Sequence, residues 1–293
     1  MITGMSKFIL PVVCLLSLLA SAGEQEKERE REREREHRPV HVTVGHGGLV
    51  LIAVASDGLA VATDGSSFNA DGTVSLADKL LVVGGRGALA FGGTVSIQDP
   101  IGRAVREEVN VSRLAASWLQ AHPEIGIDAA NRELNAAIAS AVAKFFATRD
   151  PGPEANKHQF DVIFAGYIDG KPSILGTRYF LPKTRGGQPR TEPITAPAKI
   201  GDLLAVGPVR VKDELLTGKS TALGAFKTEA PVAKFRSSKP GNLSAQDFAG
   251  LFDVVLRAAE SAEGKKLETG GGIVAPRNSF AVVTAGGFER KKP

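Results

Sequence analysis

Apolar residues run almost without a break through Leu49–Ser56 and Leu59–Asp64, with Asp57-Gly58 between the two runs. Asp-Gly tolerates positive φ at both positions, so the pattern predicts a two-residue hairpin turn. Two shorter runs follow, Leu80–Val83 and Ala88–Phe91, separated by Gly84, Gly85 and Gly87. The runs are continuous rather than alternating, which predicts a sheet covered on both faces. Two helices come next. Apolar residues fall at 111, 114, 115, 118 and 119, and then at Leu134, Ala137, Ile138, Ala141, Val142 and Phe145, with Asp128 as N-cap. Both sets follow the i, i+3, i+4, i+7 spacing of an amphipathic helix.

The second half repeats the theme. Phe160–Tyr167 and Pro172–Phe180 flank Asp169-Gly170 as a second hairpin, and Leu181 to Lys199 reads as a long Pro- and Gly-rich loop before a short strand at Leu203–Val206. Ser244 opens a helix, with Asp247 completing a capping box and Leu243 with Phe248 forming a hydrophobic staple. Its apolar stripe is Phe248, Leu251, Phe252, Val255, Leu256 and Ala259. After Gly270–Gly272 come two last strands, near Ile273–Ala275 and Phe280–Ala285. Each half is expected to supply one sheet, with helices in blocks. That order predicts an α+β fold, a four-layer αββα sandwich, and argues against a doubly wound parallel sheet because hairpins pair antiparallel neighbours. No repeat of solenoid length is present.

Composition changes the picture mainly at the N-terminus. Lys7, the apolar run Phe8–Leu19 and Ala20-Ser21-Ala22 match a cleavable signal peptide, residues 1–22. Twelve apolar residues are too few for a stable span, so no membrane anchor is expected after cleavage. Cys14 follows Val13, where a lipoprotein signal wants a small residue. The expected location is periplasmic or extracellular. Residues 23–46 form a charged low-complexity spacer, EQEKERERERERE at 24–36, with no apolar face to dock on a core. Residues 47–288 make the folded domain and 289–293 a basic tail.

Cleavage would remove Cys14, the only cysteine, and both methionines. No disulfide, thiol nucleophile or cysteine-based metal site is then available. His37, His41, His46, His122 and His158 show no metal-binding spacing, so neither a metal nor another cofactor is expected. The net charge is +4 and the basic residues are scattered. Nucleic-acid binding would want a basic stripe with interleaved aromatics.

Four stretches, in order, carry a resemblance. Leu49–Gly65 gives strand, turn, strand and terminal Asp. Asp78-Lys79-Leu80 places a lysine at the start of the next strand. Ala88–Thr94, ALAFGGT, has a Gly-Gly turn, and Phe160–Leu175, FDVIFAGYIDGKPSIL, is a central hairpin. Together they resemble proteasome β-type subunits of the N-terminal-nucleophile (Ntn) hydrolases, and in particular the proteasome-like subunit of the bacterial ATP-dependent protease. The resemblance implies an αββα sandwich, threonine-type endopeptidase chemistry on a peptide or protein substrate, and a homo-oligomeric ring. In that family a Thr, Ser or Cys at residue one of the processed chain attacks, with its own amine as base. Carried over, Asp64 would be the orienting carboxylate, Lys79 the lysine, and Gly92 or Gly93 the oxyanion donor.

The nucleophile does not carry over. Residue one would fall at Gly48 or Leu49, and no Thr, Ser or Cys lies between Val44 and Ala55. Thr43 is about five residues too far upstream, roughly 16 Å on a strand. Gly207-Pro208-Val209 stands where the family has a Gly-Ser-Gly turn, and proline has no N–H to donate. Ser66 and Ser67 follow Asp64 and read as turn residues, with a nucleophilic role as the alternative. The expectation is therefore a catalytically silent protein with an assembly or binding role. The alternative is an active amidohydrolase using an unrecognised nucleophile such as Thr43.

Overall fold

The structure, a computed structural model, describes residues 48–68, 74–76, 78–101, 104–196, 198–207, 209–268 and 278–291. The leader, the spacer with Thr43, Pro208 and the strand expected near 273–275 lie outside the described residues. Strands β1 (Val50–Ala55) and β2 (Gly58–Thr63) form the first hairpin. Ala55 pairs with Gly58, so the loop residues are Ser56 and Asp57, one position earlier than the expected turn. Gly58 is needed for close approach instead: a Cβ there would lie 2.8 Å from the carbonyl oxygen of Val283.

Asp57 has a distant task. Its Oδ1 accepts the N–H of Ala245 at 2.8 Å, at the first turn of a helix that Ser244 caps through the Asp247 N–H. Capping oxygens satisfy helix donors that have no partner within the helix. Asp57→Ala is expected to lower the unfolding free energy by about 1 kcal/mol, read from the urea midpoint at unchanged slope.

The remaining strands are β3 (Ser66–Phe68), β4 (Val74–Leu76), β5 (Leu80–Val83), β6 (Gly87–Gly93), β7 (Ser96–Ile101) and β8 (Ala104–Asn110), then β9 (His158–Ile168), β10 (Lys171–Phe180), β11 (Arg190–Thr195), β12 (Leu203–Val206), β13 (Ser279–Thr284) and β14 (Gly287–Lys291). Between them lie α1 (Val111–Ala121), α2 (Ile127–Phe146), α3 (Arg210–Leu216), α4 (Gly224–Lys227), α5 (Ala230–Ser237), α6 (Ala245–Glu260) and α7 (Ala262–Leu267). One five-stranded sheet runs β12-β1-β2-β13-β14 and the other β11-β10-β9-β6-β5, with antiparallel neighbours throughout. Both sheets draw strands from both halves of the chain, which corrects the expectation of one sheet per half.

The core has three parts, one between each pair of layers. Val50, Ile52, Val61, Ala90, Ile163 and Val283 pack between the sheets. Leu51, Ala62, Phe248, Phe252 and Val255 join the first sheet to α6. Phe91, Phe164, Ala115, Leu134 and Ile138 join the second sheet to α1 and α2. Each large buried side chain contributes about 1.5–3 kcal/mol, and continuous apolar strands are needed because both faces of each sheet are covered. The α+β fold and the αββα layer order are as expected from the sequence.

Three local readings change. Asp128 is not the N-cap of α2: Gly126 holds that position and Asp128 pairs with Arg132 in the first turn, because buried Ile127 already belongs to the helix. The long loop 181–199 contains β11, an edge strand, and edge strands tolerate a proline such as Pro193. Gly287–Lys291 pairs as β14, so the chain is a strand into the stretch read as a basic tail. The Asp169-Gly170 hairpin and the Ser244–Asp247 capping box form as expected, with φ of 50° and 73° at the two turn residues.

Candidate functional site

Asp64 immediately follows β2 and Lys79 immediately precedes β5, so the two sit on facing sheets at one end of the sandwich. Lys79 Nζ donates to Asp64 Oδ1 at 3.2 Å, and both side chains are fully buried. Backbone bonds fix the two ends, Asp64 N–H to the Leu49 carbonyl at 3.2 Å and Phe91 N–H to the Lys79 carbonyl at 3.0 Å. Two charges taken out of water are tolerable only as a pair. The two residues that the resemblance singled out are thus brought together as an ion pair.

Beside it, three glycine backbones touch. Gly93 ends β6, and its N–H points at the Gly48 carbonyl oxygen at 3.4 Å. Gly48 has φ of +132°, and a Cβ there would lie 2.2 Å from the Gly93 nitrogen. A Cβ on Gly207, φ +106°, would lie 2.4 Å from the Gly48 oxygen. Position 48 thus admits no side chain, and the Gly93 N–H, one of the two that the resemblance offered as oxyanion donor, faces a backbone carbonyl. Leu49 is buried in the core against the α6 layer. Ser66 and Ser67 lie in β3, paired with Leu76 and Ser75, rather than in a turn.

The sequence reading missed one polar group at this end. Asp161, 1% exposed, accepts from Arg178 Nε on Oδ1 and faces His158 Nε2 through Oδ2, both at 3.1 Å. It adjoins the glycines: a Cβ on Gly92 would lie 3.5 Å from both Asp161 Oδ2 and the Gly48 oxygen. The signal was a lone carboxylate inside the apolar run FDVIF, where an acid needs a buried partner.

Glu260, at the end of α6, accepts from Asn278 Nδ2 at 3.0 Å. Burial raises its carboxyl pKa, the Asn278 bond partly offsets this, and the Asp64 charge adds to the rise. A raised carboxyl favours folding below the ordinary carboxylate range and loses that contribution as pH climbs through its folded value. Glu260→Gln should therefore gain stability relative to the wild type between pH 4 and pH 7. Urea midpoints at the two pH values check this, and a relative loss at pH 7 would contradict the assignment.

Among the described residues, no group of three or more His, Cys, Asp or Glu side chains could hold a metal ion. What the arrangement offers is a rigid ion pair, a closed glycine contact and a half-exposed His–Arg pair over a buried carboxylate.

No family model and no curated protein matches this chain. Among solved structures, a mutant of Anbu from Hyphomicrobium sp. strain MC1 aligns over 84% of this chain and 85% of that chain, at 13% identity and a TM-score of 0.47. Anbu from the same strain aligns over 83% and 85%, at 12% identity and a TM-score of 0.43. These findings correct the family read from the sequence. The likeness found is to Anbu, in place of the family read from the sequence. The αββα layer order stands on the strand order and the packing of the helices themselves.

Proposed function

We propose that this chain is a catalytically silent αββα sandwich, exported from the cell and kept for binding or self-assembly. The observation that carries the reading is the state of position 48. Hydrolysis by this architecture needs an oxygen or sulfur nucleophile within about 3 Å of the attacked carbonyl and a free N–H for the oxyanion. Position 48 supplies a backbone carbonyl instead, and that carbonyl occupies the Gly93 N–H. Asp64 and Lys79 then act as a structural pair linking the two sheets. Export is supported by the Phe8–Leu19 run and Ala20-Ser21-Ala22. Self-association into a homo-oligomer belongs to the same proposal and is read by light scattering on the purified protein.

The test is a panel of fluorogenic peptides offered to the purified protein. The expected result is no turnover above buffer. Hydrolysis abolished by Lys79→Met, in a variant shown to be folded, would overturn the proposal and make Thr43 the first residue to replace.

A further inference from the structure

We propose that the face formed by His158 and Arg178 over buried Asp161 binds the terminal carboxylate of a peptide chain. The proposal rests on the non-catalytic binding reading above and names the ligand class for that end of the molecule.

Cross-strand register sets the face. Arg190, Phe180 and His158 form one row across β11, β10 and β9, and Glu192, Arg178 and Asp161 form the next. Positions two apart on a strand share a face, and further along β9 and β10 this face buries Ile163 and Ile174 between the sheets. The rows therefore mark where the inter-sheet space opens to solvent. Arg178 and His158 are each 40% exposed there, while Asp161 beneath them is closed off.

The donors are already oriented. Asp161 holds Arg178 through Nε alone, and among the described residues neither Nη atom makes a hydrogen bond. Glu192, the other carboxylate in the row, is taken by Arg190. A guanidinium fixed through Nε presents its two Nη groups as a planar fork, which matches a carboxylate bidentately. His158 is turned onto Asp161 by a β-bulge, where the register shifts between Tyr179 and Phe180. Bulges recur where a side chain must be re-aimed. In the neutral ring that carries its proton on Nε2, which lies 3.1 Å from Asp161 Oδ2, Nδ1 is an acceptor. A fork for a carboxylate beside an acceptor for an N–H fits the last residue of a peptide, which carries both. The bulge also has a cost: Gln159, 4% exposed, has both amide atoms without a partner among the described residues. An unsatisfied buried amide is destabilising, so the bulge is not explained by stability.

The test uses the full-length protein and an N-terminally fluorescein-labelled tetra-alanine, as the free acid and as the C-terminal amide. Fluorescence anisotropy should show the acid binding at least about tenfold more tightly, as expected for loss of a charged bidentate contact. Arg178→Lys keeps a cation beside Asp161 but removes the fork, and should weaken the acid by about tenfold while leaving the amide unchanged. Equal affinity for acid and amide, binding of neither, or undiminished acid binding by a folded Arg178→Lys protein would each overturn the proposal. The acid–amide contrast on the wild type needs no substitution. Cleavage of the peptide would count against the silent reading and not against carboxylate recognition, so the two failures are told apart.

Discussion

Replacing Lys79 with methionine is expected to lower the unfolding free energy by about 3–5 kcal/mol, because it leaves the buried Asp64 charge without its cation. Both side chains are fully buried and only 3.2 Å apart. The double replacement Asp64→Asn with Lys79→Met should recover most of that loss, since it removes both charges and keeps volume similar. Pairs of this kind give little net stability against an apolar substitute, and the cost lies in breaking one side. Urea unfolding of the two single variants and the double forms a cycle that isolates the coupling. Singles that cost no more than the double would show that the pair is not formed.

Gly48→Thr, the change that would restore a hydroxyl at the first position, is expected to destabilise the protein by about 4 kcal/mol rather than activate it. Two effects add. The residue has φ of +132°, which side chains rarely adopt, and its Cβ would lie 2.2 Å from a backbone nitrogen that cannot rotate away. Gly85→Thr separates the two effects, because Gly85 has φ of +66° but nothing within 4 Å of a Cβ. That control should cost about 1 kcal/mol, the strain alone. A Gly48→Thr protein as stable as wild type would mean that the Gly48–Gly93 contact is not as described.

Much of this was legible along the chain. Leu49–Asp64 and Phe160–Phe180 read as hairpins because continuous apolar runs around Asp-Gly leave few other local structures. Ser244 and Asp247 read as a capping box because that signal is confined to four residues. Asp64 and Lys79 could be paired because the resemblance matches them to residues at the end and start of consecutive strands. The sheet membership was not legible, since β13 pairs with β2 across more than two hundred residues of sequence and nothing local records it. Asp57 was read as a turn residue for the same reason: its partner, Ala245, is set by tertiary packing. The closure at Gly48 could not be read because glycine in a glycine-rich stretch looks like a flexible approach to the strand. Only the facing backbones of Gly93 and Gly207 reveal that it is a fixed contact. The family resemblance went further than these elements allow, because strand–turn–strand patterns around glycines specify a fold more readily than a lineage.

The central proposal is that position 48 supplies no nucleophile at this end of the sandwich. Intact-mass spectrometry of the purified, exported protein, with and without an N-terminal-threonine-directed covalent inhibitor, tests it most directly. The account predicts a chain that begins at Gly23, keeps the Glu-Arg spacer and gains no mass from the inhibitor. A chain beginning at Thr43 that carries the inhibitor as a covalent adduct would contradict it.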